Sequence, residues 1–170
     1  MTDDRLHLPT GAVIAAVILG LMAFVGLLLA AFSLIAQFFI RSPLIPHIPI
    51  VRIVAAGFDA VVLALVVLAV LTIVGLFRLR IWARYSMVLL GLLDFLVFGL
   101  MTAGVLIARV KSGMASMPMP NNPHLTLGDV LLALAAIYGV LAFIGLWWMI
   151  YFNAKSVRQV FADSEARLTS

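Results

Sequence analysis

Asp94 is the residue best placed to do chemistry in this 170-residue chain. It stands about ten residues, or roughly 15 Å at the helical rise, beyond Arg84, near the middle of a long apolar stretch. An ionisable side chain at that depth costs about 2.5–3.5 kcal/mol on insertion scales and marks a functional candidate by default. Met87, Gly91, Phe98 and Met101 share its helical face, and Gly91 would let another helix approach closely. Tyr138 lies at a similar depth in a later stretch. A Tyr138 hydroxyl bonded to Asp94 is the simplest way to satisfy both groups. The carboxyl therefore has three readings: a polar clamp between helices, a proton or cation site, or a contact for a partner subunit. No second acid or histidine occurs at that depth, and no apolar stretch has an interior proline, which speaks against a relay.

Asp59 also sits in an apolar stretch, but roughly 28 Å before Arg78. That distance puts it near the far interface. Arg52 lies two turns earlier on the same face and can snorkel toward it, so Asp59 reads as an interfacial acid. A third constellation is softer. Met114, Met117 and Met119, with His124 nearby, are ligand types that select Cu(I). The string is short and methionine is also a flexible apolar side chain, so copper is a weak candidate and the expectation is no metal and no cofactor. His7 and His47 are isolated.

These residues must be positioned by helices. Four apolar stretches, 11–40, 53–77, 81–108 and 129–152, each exceed the roughly 20 residues needed to cross about 30 Å of hydrocarbon. Unpaired backbone is not tolerated in lipid, so each is expected to be a helix. The predicted fold is all-α: a polytopic membrane protein forming one antiparallel four-transmembrane-helix bundle, with a short tail over 153–170. The first stretch is too long for a signal-peptide core, and Asp3 and Asp4 sit in the region before it, so it reads as a retained span. At 65% hydrophobic residues the chain leaves little outside the membrane, and chemistry is expected only in helices or short loops. Cysteine is absent, which excludes thiolate metal sites, cysteine catalysis and disulfides. The net charge of +4 reads as a topology signal and not as nucleic-acid binding.

Arg5, Arg78, Arg80, Arg84, Lys155, Arg158 and Arg167 fall on one side, against Arg41, Arg52, Arg109 and Lys111 on the other. The more basic side is expected to be cytoplasmic, with both termini on it. Trp82, Tyr85, Trp147, Trp148 and Tyr151 fall at the same boundary, where amphipathic rings anchor a span. Arg78, Arg80, Trp82, Arg84, Trp147 and Trp148 are therefore the expected topology and interface anchors. The connection around Arg78–Arg84 is short enough to make the second and third spans antiparallel neighbours.

Pro43, Pro46 and Pro49 favour an extended polyproline connector and forbid helix. The second loop on that side, 109–127, carries Pro118, Pro120 and Pro123. Thr126 then reads as an N-cap, with Asp129 as its reciprocal acid. Small residues recur at four-residue spacing: Ala16 and Gly20; Ala56, Ala60 and Ala64; Gly99 and Ala103; Ala135 and Gly139. Such spacing permits tight packing, within the chain or between copies. Gly75-Leu76-Phe77 and Gly145-Leu146-Trp147 hint at an internal repeat, with Asp59 and Asp129 equally far before the two glycines. Val157, Val160 and Phe161 share one face of the tail, which suits a helix lying on the membrane surface.

Two stretches carry a resemblance. Gly75-Leu76-Phe77-Arg78-Leu79-Arg80-Ile81-Trp82-Ala83-Arg84 resembles a turn written with Trp-Ala-Arg after a span. Tyr151-Phe152-Asn153 with Val157-Arg158 and Phe161 resembles the tail of many small bacterial proteins. Together they look like a group of uncharacterised four-span integral membrane proteins of bacteria. That resemblance implies fold and location and lends no activity, substrate or catalytic residue. The expected role is non-enzymatic, a structural or accessory subunit of an assembly in the bacterial cytoplasmic membrane. Its partners would be the lipid bilayer and a membrane protein or a second copy, with no nucleic acid. The alternative is a small proton- or cation-coupled transporter or channel using Asp94. A lipid-acting membrane enzyme is third.

Overall fold

The computed structural model describes residues 9–39, 49–111, 116–119 and 122–169. His7, His47, Arg5, Arg41 and Met114 lie outside the described residues, as do the side chains of Arg52, Met119, His124 and Arg167. The order of elements is α1 (Thr10–Phe39), α2 (Pro49–Phe77), α3 (Ile81–Lys111), β1 (Pro118–Met119), β2 (Asn122–Thr126), α4 (Leu127–Asn153) and α5 (Lys155–Thr169). The fold is all-α, with four helices, α1 to α4, each long and apolar enough to cross a membrane. The chain is thus an integral membrane protein of the four-helix-bundle class.

Two compact units divide the chain: Met1–Arg84 with Val160–Ser170, and Tyr85–Gln159. In the first, α1 and α2 run antiparallel. A Cβ on Gly20 would meet Ile73 at 3.7 Å, and one on Gly26 would meet Val66 at 3.5 Å. Ala12, Ala15, Ala16 and Leu19 are buried on one stripe of α1, at the helical spacing that a single packed face requires. The α1 surface is small and takes the branched side chains of α2. Ala16 and Gly20 thus belong to a packed face. Ala56, Ala60 and Ala64 do not: all three are exposed, so this stripe turns away from the chain's own core. Four-residue spacing places residues on one face of a helix but does not say which face is covered.

Pro49 begins α2 where helix was not expected, and Pro43 and Pro46 lie outside the described residues. Proline is at home in the first helical turn, where its missing N–H has no partner to lose. The turn from α2 to α3 is tighter than its length alone implies. Arg80 N–H donates to Gly75 O at 2.9 Å and Leu79 N–H to Leu76 O at 3.0 Å. These two bonds make a Schellman ending, in which the residue just past the helix adopts a left-handed backbone. Leu79 takes that place with φ 50, where glycine is usual. Its side chain is 7% exposed, and burial of that side chain offsets the left-handed penalty of about 1–2 kcal/mol. Gly75 is needed for a different reason. A Cβ there would lie 2.7 Å from Ala83 Cβ and 2.7 Å from Trp82 Cζ2. Gly75→Ala is therefore expected to push the first turn of α3 off the end of α2, lowering stability by about 1–3 kcal/mol. Thermal unfolding in mild detergent checks this, and an unchanged midpoint would remove the close approach.

In the second unit α3 and α4 also run antiparallel, crossing where Gly91 faces Gly145. The connection between them contains a two-stranded antiparallel sheet, β1 with β2, in a stretch the prolines had marked as irregular. Pro118 and Pro123 occupy strand positions whose extended backbone suits the fixed proline φ. Leu127 N–H closes the hairpin on Met117 O at 2.9 Å. Thr126 and Asp129 form the capping box that their spacing announced. Thr126 N–H donates to Asp129 Oδ2 at 2.9 Å, and Asp129 N–H donates to Thr126 Oγ1 at 3.2 Å.

The tail is helical, but its apolar face is not left for lipid. Val157 and Phe161 are 4% and 0% exposed, so protein covers them, while Lys155, Arg158 and Gln159 face outward. Its residues from Val160 onward group with α1 and α2.

Candidate intramembrane polar site

Asp59 and Asp94 have different surroundings. Asp59 lies about ten residues, or roughly 15 Å, into α2 and is 3% exposed. Ser33 Oγ of α1 donates to its Oδ2 at 3.2 Å. Asp59 is thus enclosed by protein, with a partner on α1, whatever its depth along the span. Its partner was discoverable. In a hairpin, residues at similar distances from the connecting loop meet, and Ser33 is the polar residue of α1 that satisfies this with Asp59.

Asp94 stands at the Gly91–Gly145 crossing. A Cβ on Gly91 would lie 2.6 Å from Gly145 O, and one on Gly145 would lie 2.6 Å from Gly91 O and 2.8 Å from Phe95 N. No side chain fits between backbones that close, so each glycine is required by the other. The same imagined atom on Gly145 would lie 2.9 Å from Asp94 Cβ, so the root of Asp94 rests on bare α4 backbone. Its Oδ2 is buried and has no hydrogen-bond partner among the described residues.

The expected bond from Tyr138 to Asp94 is not made. Tyr138 stacks on Phe98 instead, with ring centroids 6.0 Å apart and planes 26° apart. Register explains the difference. With Gly91 opposite Gly145, Tyr138 falls opposite Phe98, one turn along α3 from Asp94. Counting depth from the helix ends put both residues near mid-span, but an error of one turn is enough to exchange a hydrogen bond for a ring stack. Gly99 and Gly139, which the spacing suggested as packing residues, have open space where a Cβ would stand. The tight crossing uses Gly91, where a close approach was expected, against Gly145, which the sequence placed in no small-residue pair.

Two of the expected interface anchors are core residues. Trp148 is 1% exposed, and its Nε1 has no partner among the described residues. Arg84 is 7% exposed. Trp82, at 46% exposed, and the exposed Arg78 and Arg80 remain at the surface. Trp147 is half-buried and packs on Tyr151 at 5.6 Å. Of the copper candidates, Met117 is exposed beside β1, and the remaining ligand side chains are outside the description. No group of three or more His, Cys, Asp or Glu residues that could hold a metal occurs among the described residues. A shallow recess on α4, lined by Ala136, Ile137, Val140 and Leu141, offers no polar group.

The site thus reduces to one carboxyl, fixed at a glycine crossing within a helix long and apolar enough to span a membrane and lacking a donor among the described residues. It can accept a hydrogen bond or a cation, or take up a proton. No protein family, curated protein or solved structure matches the chain.

Proposed function

We propose that the protein is a non-enzymatic accessory subunit of a membrane assembly and that Asp94 addresses its partner. The observation that carries this reading is the Asp94 carboxyl, which has a buried oxygen without a donor at hydrocarbon depth. Such a group is costly alone, and a donor from a second transmembrane segment relieves the cost. Asp59 supplies the contrast, because Ser33 of the same chain serves it. A proton- or cation-coupled transporter using Asp94 is the second reading, and the same orphaned oxygen favours it. The two separate on behaviour: a subunit binds a fixed partner through Asp94, whereas a transporter moves protons or cations when reconstituted alone.

The proposed setting is a bacterial cytoplasmic membrane with both termini in the cytoplasm, in line with the resemblance to small four-span bacterial proteins. The excess of Arg and Lys on the side of Arg78, Arg80 and Lys155 supports the orientation, as do the exposed rings of Trp82 and Tyr85. Reporter fusions after Ser170 test it. A cytoplasmic-type reporter is expected to be active there, and activity of a periplasmic-type reporter at that position would invert the topology.

A further inference from the structure

We propose that the turn between α2 and α3 is a binding site for the headgroup phosphate of an anionic phospholipid. The left-handed Leu79 buries its side chain, and both neighbours, Arg78 and Arg80, are exposed. No hydrogen bond or ion pair of either guanidinium occurs among the described residues. The nearest acids on their own helices are Asp59 and Asp94, roughly 28 Å and 21 Å away along the helix axes. Two unpaired guanidiniums held by a hydrogen-bonded turn present the fork geometry that phosphate oxygens accept.

The residues flanking the cations select a lipid over free phosphate. Phe77 ends α2 at 59% exposed, and Trp82 in the first turn of α3 is 46% exposed. The Trp82 ring edge rests where a Cβ on Gly75 would stand, which fixes the indole beside the turn. The order along the chain is apolar ring, cation, buried anchor, cation, apolar residue, ring. A molecule with a phosphate head and an apolar body matches that order. The turn also joins two spans long and apolar enough to cross a membrane, which places it at the depth of headgroups.

Native mass spectrometry of the full chain, released from nanodiscs holding equal amounts of phosphatidylcholine and phosphatidylglycerol, tests this. The wild type is expected to retain phosphatidylglycerol preferentially. Each arginine contributes about a five-fold preference, so the double variant Arg78→Gln with Arg80→Gln should lose roughly twenty-five-fold. Arg78→Lys with Arg80→Lys keeps the charge without the fork and should fall between. Lys155→Gln with Arg158→Gln removes as much exposed charge from α5 and should retain the wild-type preference. Equal retention of the two lipids by the wild type overturns the proposal. So does an undiminished preference in both arginine double variants, or an equal loss in the α5 variant. Displacement of the lipid by inorganic phosphate would show a free-anion site and overturn it as well.

Discussion

Gly145→Ala is expected to destabilise the α3–α4 pair more than any other added methyl group in that unit. The new carbon would stand 2.6 Å from Gly91 O and 2.8 Å from Phe95 N. Both are backbone atoms, which cannot rotate away, so α3 and α4 must separate along the crossing. Overpacking of this kind costs about 1–3 kcal/mol, and the lack of any flexible side chain to absorb the clash favours the upper end. Gly91→Ala should behave similarly, and the double variant should cost less than the sum, because the first separation makes room for the second methyl. Gly139→Ala and Gly99→Ala are the controls. Each places its methyl in open space and should leave the unfolding midpoint within about 0.5 kcal/mol of wild type. Thermal or denaturant unfolding in mild detergent reads the difference. If Gly139→Ala and Gly145→Ala behave alike, the crossing is not where the pair is held.

Asp94→Leu is expected to have the opposite sign for the isolated protein. A hydrogen-bonded polar clamp would make this substitution costly. Here the buried Oδ2 has no partner among the described residues, so its removal leaves no donor stranded. Exchange of a carboxyl for an alkyl group at mid-span favours insertion by about 3 kcal/mol. Relief of an unsatisfied buried polar atom should keep the unfolding midpoint level or raise it. Asp94→Asn has the same shape and separates charge from size: it should unfold as wild type does. Tyr138→Phe should be nearly neutral, because the ring is held by its stack on Phe98, and its effect should add to that of Asp94→Leu. A drop of more than about 1 kcal/mol for both Asp94→Asn and Tyr138→Phe would show that a bond between them exists after all. A residue whose removal stabilises the chain yet abolishes its role is the signature of a functional site.

The elements of this protein were legible because membrane helices announce themselves by length and apolarity. The starts of α1, α3 and α4 fall within two residues of the sequence expectation, and the Thr126–Asp129 box could be read from its spacing. Burial was far less legible. In a soluble helix the apolar face is the buried face, but here lipid and protein interior are equally apolar, so composition does not tell them apart. Ala56, Ala60 and Ala64 read like a packing stripe and are exposed, while Gly91 makes the close approach expected of it, against a Gly145 that no small-residue spacing had marked. Trp148 and Arg84 looked like interfacial anchors by position and are core residues. The polar sites depended on register, which is decided by contacts between helices. Asp59 was read beside Arg52 and its bond to Ser33 went unread, while Tyr138 missed Asp94 by one turn. The left-handed Leu79 carried no signal, since glycine is the residue that marks such a turn.

Asp94 Oδ2 has no donor among the described residues, and the proposed donor is a second membrane protein. The most direct test is quantitative affinity purification of the full chain from native membranes in mild detergent, wild type beside Asp94→Leu, with mass spectrometry of what each retains. One membrane protein is expected to be retained in fixed ratio by the wild type and depleted at least ten-fold by Asp94→Leu, with the variant folded and present at an equal level. Equal retention by the two proteins would contradict it, as would a wild type that purifies alone and, in liposomes, carries a proton flux abolished by Asp94→Asn.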